Sequence, residues 1–289
     1  MARRAGFSTG VGGAAQPPQA VTPPQGMGRG YNVRQHIDGM MLERINSPRY
    51  FTHFEKFLQR PFLNASLAPA SADDAADGAT AAELALMVSC NKNVELRTGG
   101  GADNAGVEAL AGGGIRLETG GADGNNHIVQ AHQDANQSSL NDIWDVTSRP
   151  LFMANLISGP EAADITNCIL WAGWKLTFDP VTATDADQAF FRYENDVNGG
   201  RWQANTSIAG VDTTTDTGVL VTAATNYRLV VDVDAERVPR FYINDALVAT
   251  GGALTAAADI EFFIGVEADG AAEAKELDIR NFLVSQLYG

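Results

Sequence analysis

Beyond about residue 84 the chain is written in short runs whose apolar residues fall at every second position. This period limits the fold more than any other feature of the sequence. The runs include ELALMVS (83–89), GIRLETGG (114–121), NHIVQAH (126–132), CILWAGWKLTF (168–178), QAFFRYEND (188–196) and GRWQANTS (200–207). TGVLVT (217–222), YRLVVDVD (227–234), RFYIND (240–245), IEFFIGVE (260–267) and ELDIRNFLVSQ (276–286) continue the series. Clusters of Gly, Asn, Asp and Thr separate them, and no long helical pattern interrupts. Many short strands with closely spaced turns predict a mostly β, antiparallel sandwich or jelly roll. No repeat of fixed period argues for a propeller or β-helix.

The first third reads differently. Residues 1–37 are rich in Gly, Pro, Gln and Ala, and they carry Arg3, Arg4, Arg29 and Arg34 with no Asp or Glu. That composition predicts an extended basic arm. Residues 38–83 are expected to hold a helix and a linker. Ser47–Pro48 is a good helix start, Phe51, Phe54 and Phe57/Leu58 follow at helical spacing, and Pro61 ends the run. The low-complexity stretch ASLAPASADDAADGATAA (65–82) then leads into the sandwich, 84–289.

Net charge is −15 over 289 residues, although the arm is basic, so the body is strongly acidic and repels nucleic acid. No apolar run reaches the roughly 18 residues of a membrane span. The N-terminus, with no apolar segment, does not read as a secretory signal. Cys90 and Cys168 lie outside any zinc-ligand spacing and read as buried thiols, with a disulfide between them left open.

In YRLVVDVDAERVPRFYINDAL (227–247), Tyr227, Leu229, Val231 and Val233 are expected to face a core, with Phe241 and Ile243 continuing inward. Asp232, Asp234 and Glu236 are expected on a wet face, about 7 Å apart along a strand and too spread for a calcium shell. Asn244–Asp245 reads as a tight turn. Asp185 and Asp187 suit a loop cation site only weakly, and the four histidines (His36, His53, His127, His132) have no metal-ligand spacing.

This hairpin, Y-x-L-x-x-x-x-D followed by F-Y-I-N-D-A-L-V, resembles the laminin-G and concanavalin A-like sandwiches. The closing KELDIRNFLVSQL (275–287) is similar to their final strand. Glycoside hydrolases of that class use a strand-borne E-x-D pair followed by a second glutamate. Glu267, Asp269 and Glu273 match it formally, but Ala and Gly spacers and the Asp269–Gly270 turn signal read as a loop rather than a catalytic strand. The arm, the aromatic YFTHFEKFL and the Thr/Asn/Asp-rich turns also resemble the organisation of tailed-phage particle proteins, of the head decoration or cement type.

That resemblance implies a non-enzymatic virion protein on the outer capsid surface, without a cofactor. It implies contacts with the major capsid protein and with neighbouring copies, and a homo-oligomer, with a trimer favoured. Neither nucleic acid nor membrane is expected as a partner. Arg3, Arg4, Arg29, Arg34, Phe51 and Phe54 are the candidate partner contacts. The alternative is a carbohydrate-binding module of a tail fibre or adhesion protein, with Trp202 as an exposed sugar platform. A glycoside hydrolase ranks last. Trp171 and Trp174, three apart in a strand, are expected on opposite faces, one of them in the core.

Overall fold

Alternation becomes two antiparallel sheets packed face to face. The structure is a computed structural model that describes residues 33–56, 94–99, 106–111, 113–131, 144–175, 186–255, 259–270 and 273–288. Arg3, Arg4, Arg29, the Arg34 side chain, Phe57, Leu58, Cys90, His132, Asp185 and the 65–82 stretch lie outside the described residues.

Sheet A orders its strands as β13 (Ala246–Thr250), β12 (Pro239–Ile243), β11 (Asn226–Val233), β6 (Leu151–Ser158), β15 (Glu276–Leu287), β4 (Ile115–Glu118) and β3 (Gly106–Ala109). An eighth strand, β1 (Tyr50–Glu55), also pairs with β15. Sheet B runs β10 (Val211–Leu220), β9 (Arg201–Ile208), β8 (Asp187–Glu194), β7 (Cys168–Lys175), β14 (Glu261–Ala268), β5 (Asn126–Ala131) and β2 (Val94–Gly99). The architecture is the antiparallel jelly-roll, concanavalin A-like sandwich expected from the sequence.

The core lies between the sheets and is strongly aromatic. Trp202 meets Phe191, Tyr193 and Tyr227 edge-on, and Trp144 tilts against Trp174 at 5.4 Å. Such offset and T-shaped pairs stabilise beyond simple burial. As the alternation requires, Tyr227, Leu229, Val231, Val233, Phe241 and Ile243 all enter this core. Trp174 does too, while Trp171 belongs to a cluster on the opposite face of sheet B. Cys168 is buried in the core, where desolvation pushes its thiol pKa upward, and it forms no disulfide. Asn244 and Asp245 both take positive φ, as a type I′ hairpin turn demands.

β15 is the longest strand of sheet A, and three strands share its edges. β6 runs along one side; on the other, β4 takes Glu276–Ile279 and β1 takes Phe282–Leu287. A register shift near Arg280 separates the two halves. Gly114 fits beside that shift because it has no Cβ; a Cβ would stand 2.7 Å from the Ile279 carbonyl oxygen.

A helix does precede the sandwich, but earlier than the sequence suggested. Helix α1 spans Val33–Asn46, and Ser47–Pro48 follows it as a turn. Residues 50–55 form β1 instead of a helix. Phe51 and Phe54 have helical spacing, yet the open half of β15 offers six backbone partners, and aromatic and β-branched residues suit that pairing. Phe51, expected to face a partner, turns inward against Trp144 and Tyr288. His53, two residues on, is buried beside Phe282 with Nε2 unpaired.

Helix α1 lies on the outer face of sheet A. Ile37, Met40 and Met41 pack on Leu151, Met153, Val230, Tyr242 and Leu283. The outer face of β11 is therefore not wet, which corrects the sequence reading. Asp232 is only 9% exposed and binds the Arg44 guanidinium at 3.1 Å. Arg44 also donates to the carbonyls of Arg149 (2.8 Å) and Ser285 (3.3 Å), and its guanidinium lies over Tyr50. Asp234 shapes the next turn by accepting from the Glu236 and Val238 amides, while Glu236 itself is exposed. Three carboxylates at alternate positions thus have three different environments.

Replacing Arg44 by Met is expected to cost about 3 kcal/mol, because it strips a buried carboxylate of its cation. Chemical denaturation checks this, and Arg44→Met combined with Asp232→Leu should recover part of the loss.

Candidate functional site

The face of sheet B turned away from the core carries a polar and aromatic array whose order follows from strand register. One row reads Asn126, Glu267, Ile169 and Glu194 across β5, β14, β7 and β8. The next reads Ile128, Gly265, Trp171, Arg192, Gln203 and Asp216. The third reads Gln130, Phe263, Gly173, Phe190, Asn205 and Thr214. The two glycines admit the large rings beside them. A Cβ on Gly173 would stand 2.6 Å from the Phe190 Cα, and one on Gly265 3.0 Å from the Trp171 ring.

Polar side chains are buried in this face without complete pairing. Gln203 Nε2, Asn205 Oδ1 and Ser207 Oγ on β9 are buried and find no hydrogen-bond partner. Such orphaned groups are costly, so they mark places where a ligand's hydroxyls or amides would be welcome.

Glu267 sits at the end of β14, not in the loop expected from its Ala and Gly spacers. It is 4% exposed, and its Oε2 has no partner. Burial, reinforced by the Asp269 carboxylate, pushes its pKa up to about 7, against the opposing help of the Asn126 amide. Glu273, the third member of the formal motif, instead reaches toward Lys275 at 3.9 Å with its side chain 70% exposed. The two glutamates of the motif thus stand in different environments, one buried at the end of β14 and the other exposed.

Glu194, Asp196 and Asp269 bring carboxylate oxygens within 4.8 Å of one another. Burial raises the Glu194 pKa, and Arg192 opposes that through an ion pair at 2.5 Å.

Trp202, expected to be exposed, is 1% exposed and belongs to the core. The preceding Gly-Gly turn suggested a surface position, but β9 alternation turns Trp202 inward and Gln203 outward. Phe54 is 39% exposed and lines a groove of about 660 Å³ on the outer face of sheet A. Asn155, Asn226, Asn244 and Asn281 line the same groove, together with Arg228, which is held by Asp38 at 2.9 Å and Asp245 at 3.1 Å. Sequence reasoning did not find the β9 array, because Gln, Asn and Ser in a strand look like an ordinary solvent face. Their signal is positional: they alternate with Trp202, Ala204 and Thr206.

Neither a family model nor a curated protein matches the sequence. Among solved structures, the chain is similar to a protein of unknown function from Shewanella oneidensis MR-1. That match has 11% identity and TM-score 0.51, and it covers 92% of this chain and 97% of the other. It is also similar to a Bacillus licheniformis β-glucanase, at 11% identity and TM-score 0.48, over 82% and 98% of the two chains. The potassium-bound carbohydrate recognition domain of Emp46p matches at 8% identity and TM-score 0.46, over 68% and 90%. The first of these likenesses shows a shared fold.

Two buried groups give stability opposite pH slopes. Burial lowers the His53 pKa to about 4, so between pH 4 and 6.5 the unfolded chain holds a proton that the folded chain lacks, and stability rises with pH. Glu267, raised to about 7, holds a proton when folded and loses it when unfolded above about 4.5, so stability falls with pH. Each effect is worth up to about 3 kcal/mol. Denaturation at several pH values should show His53→Phe steepening the fall with pH and Glu267→Gln exposing the rise.

Proposed function

We propose that the chain is a non-enzymatic structural protein of a tailed-phage particle, of the head decoration or cement type. It would be fastened to the major capsid protein and to neighbouring copies by its N-terminal segment. The observation that supports this reading is the two-sided character of α1. Its inner face is locked to the sandwich by Ile37, Met40, Met41 and Arg44. On the other side Leu42 and Ile45 remain 61% and 47% exposed. A helix needs only one apolar stripe to dock on its own sheet, so a second one suits a second neighbour. Arg3, Arg4, Arg29 and Arg34 precede the exposed side and supply charge for an acidic surface. Phe54 adds an exposed ring nearby in sequence. The sandwich body would face outward on the capsid, as a closed symmetric oligomer with a trimer favoured.

The test is occupancy on particles. Leu42→Glu with Ile45→Glu should keep the fold by circular dichroism and reduce particle binding at least tenfold. Full occupancy of that variant would exclude α1 as the anchor.

A second reading, a carbohydrate-binding module, is favoured by the unpaired Gln203, Asn205 and Ser207 beside Trp171 and Phe190. Amide and hydroxyl groups next to aromatic rings suit the alternating polar and apolar surfaces of a sugar. Under this reading Gln203→Ala with Asn205→Ala should abolish binding on a glycan array and leave the melting temperature nearly unchanged. Trp202→Ala would instead lower stability by about 3 kcal/mol or more through loss of core packing.

A further inference from the structure

We infer that the groove on the outer face of sheet A is a binding site for a neutral saccharide. Strand register builds its floor. Arg228 of β11, Asn155 of β6 and Asn281 of β15 lie in one row across three neighbouring strands. Met153 and Leu283 occupy the next outward row, with Phe54 of β1 beside Leu283. Asp38 and Met41 of α1 and the Asn244–Asp245 turn join the lining. The volume of about 660 Å³ falls within the range of about 300–1,000 Å³ typical of small-ligand sites.

A β-bulge aims the central amide. Leu277 and Ile279 face the core, so plain alternation along β15 would send Asn281 there as well. The register shift between Ile279 and Asn281 inserts Arg280, and Asn281 comes out opposite Asn155 instead, while Phe282 and Val284 resume the core face. Bulges serve to re-aim side chains in this way beside functional sites. Asn155 Nδ2 donates to Asn281 Oδ1 at 2.7 Å. The pair thereby keeps the Asn155 carbonyl oxygen as an acceptor and the Asn281 amide as a donor, side by side on the floor.

Electrostatics narrow the ligand. Among the lining residues two carboxylates, Asp38 and Asp245, stand against two cations, Arg228 and Lys56, so the formal charges cancel. Arg228 spends its terminal nitrogens within the lining: Nη2 donates to Asp38 at 2.9 Å and to the Met41 sulfur at 3.0 Å, and Nη1 reaches Asp245 at 3.1 Å. The Lys56 ammonium lies over the Phe54 ring, 5.0 Å from its centroid. An anionic ligand would have to displace those carboxylates, and a cationic one the guanidinium. A neutral ligand displaces neither. The asparagine amides supply both donors and acceptors, and Met41, Met153 and the exposed Phe54 supply apolar surface. A sugar offers the matching mixture, with hydroxyls that donate and accept around its rim and C–H groups on its faces. This site lies on the sheet opposite the β9 amides and is independent of the outward stripe of α1.

The test uses the full chain, first on an array of neutral and sialylated glycans and then in solution with carbon-13-labelled methionine methyls. Neutral glycans should bind, and titrating the best-bound one should shift the Met41 and Met153 methyl resonances, which report from inside the groove. Asn155→Ala with Asn281→Ala should weaken binding about tenfold or more. Asn226→Ala, at an exposed lining position that leaves the packing untouched, should weaken it about threefold. Glu236→Gln, an exposed acid outside the groove, should leave it unchanged. Asp38→Asn removes one carboxylate from the balance and should raise the proportion of sialylated glycans bound. An array with no neutral glycan bound would overturn the site. So would a bound glycan that moves neither methionine methyl, which would place sugar binding elsewhere on the chain.

Discussion

The Arg44–Asp232 pair decides what the N-terminal segment can be. Sheet A offers an outer face with Leu151, Met153, Val230 and Tyr242, which needs a cover, but β11 also places Asp232 there. A purely apolar helix would bury that carboxylate unpaired. Arg44 meets it and spends its remaining donors on the carbonyls of Arg149 and Ser285. One side chain thus joins α1 to β11, β15 and the turn before β6. With α1 fixed, the chain enters β1 in the direction that completes the second half of β15's edge. Thr52 then reaches both the Arg44 carbonyl and the Ser285 hydroxyl.

The sandwich was legible because period-two alternation survives wherever one face is the core. Tyr227 to Val233, Phe241, Ile243 and the split between Trp171 and Trp174 all follow from it. What alternation does not say is what lies on the other face. Asp232 looked wet because a sequence does not reveal that a helix will lie over β11. The position of that helix was hidden for a related reason. Its inward stripe ends in an arginine and its outward face holds Leu42 and Ile45, so neither side reads as cleanly apolar. The aromatic spacing of Phe51 and Phe54 then drew the helix to the wrong stretch, where an available strand edge outweighs local spacing.

The candidate site was hidden by the same blindness to the outer face. Gln203, Asn205 and Ser207 are unremarkable as letters and acquire meaning only when buried. The Glu267 motif was visible, yet its Ala and Gly spacers pointed to a loop. In fact β14 runs through Ala268, and only Asp269–Gly270 turn. The acid cluster unites residues about 75 positions apart through the register of three strands, a juxtaposition with no local sequence signature.

The division of β15's edge between two partners has a consequence for how the chain reaches this structure. Thr52 and Ser285 touch across 233 residues, and Asn155 and Asn281 across 126. Closing such long loops costs entropy before any contact repays it, so sheet A should assemble slowly and late. Until β15 arrives, β1, β4 and β6 each present an unpaired edge. Anything that delays the arrival of β15 therefore lengthens the interval in which those edges can pair with other chains.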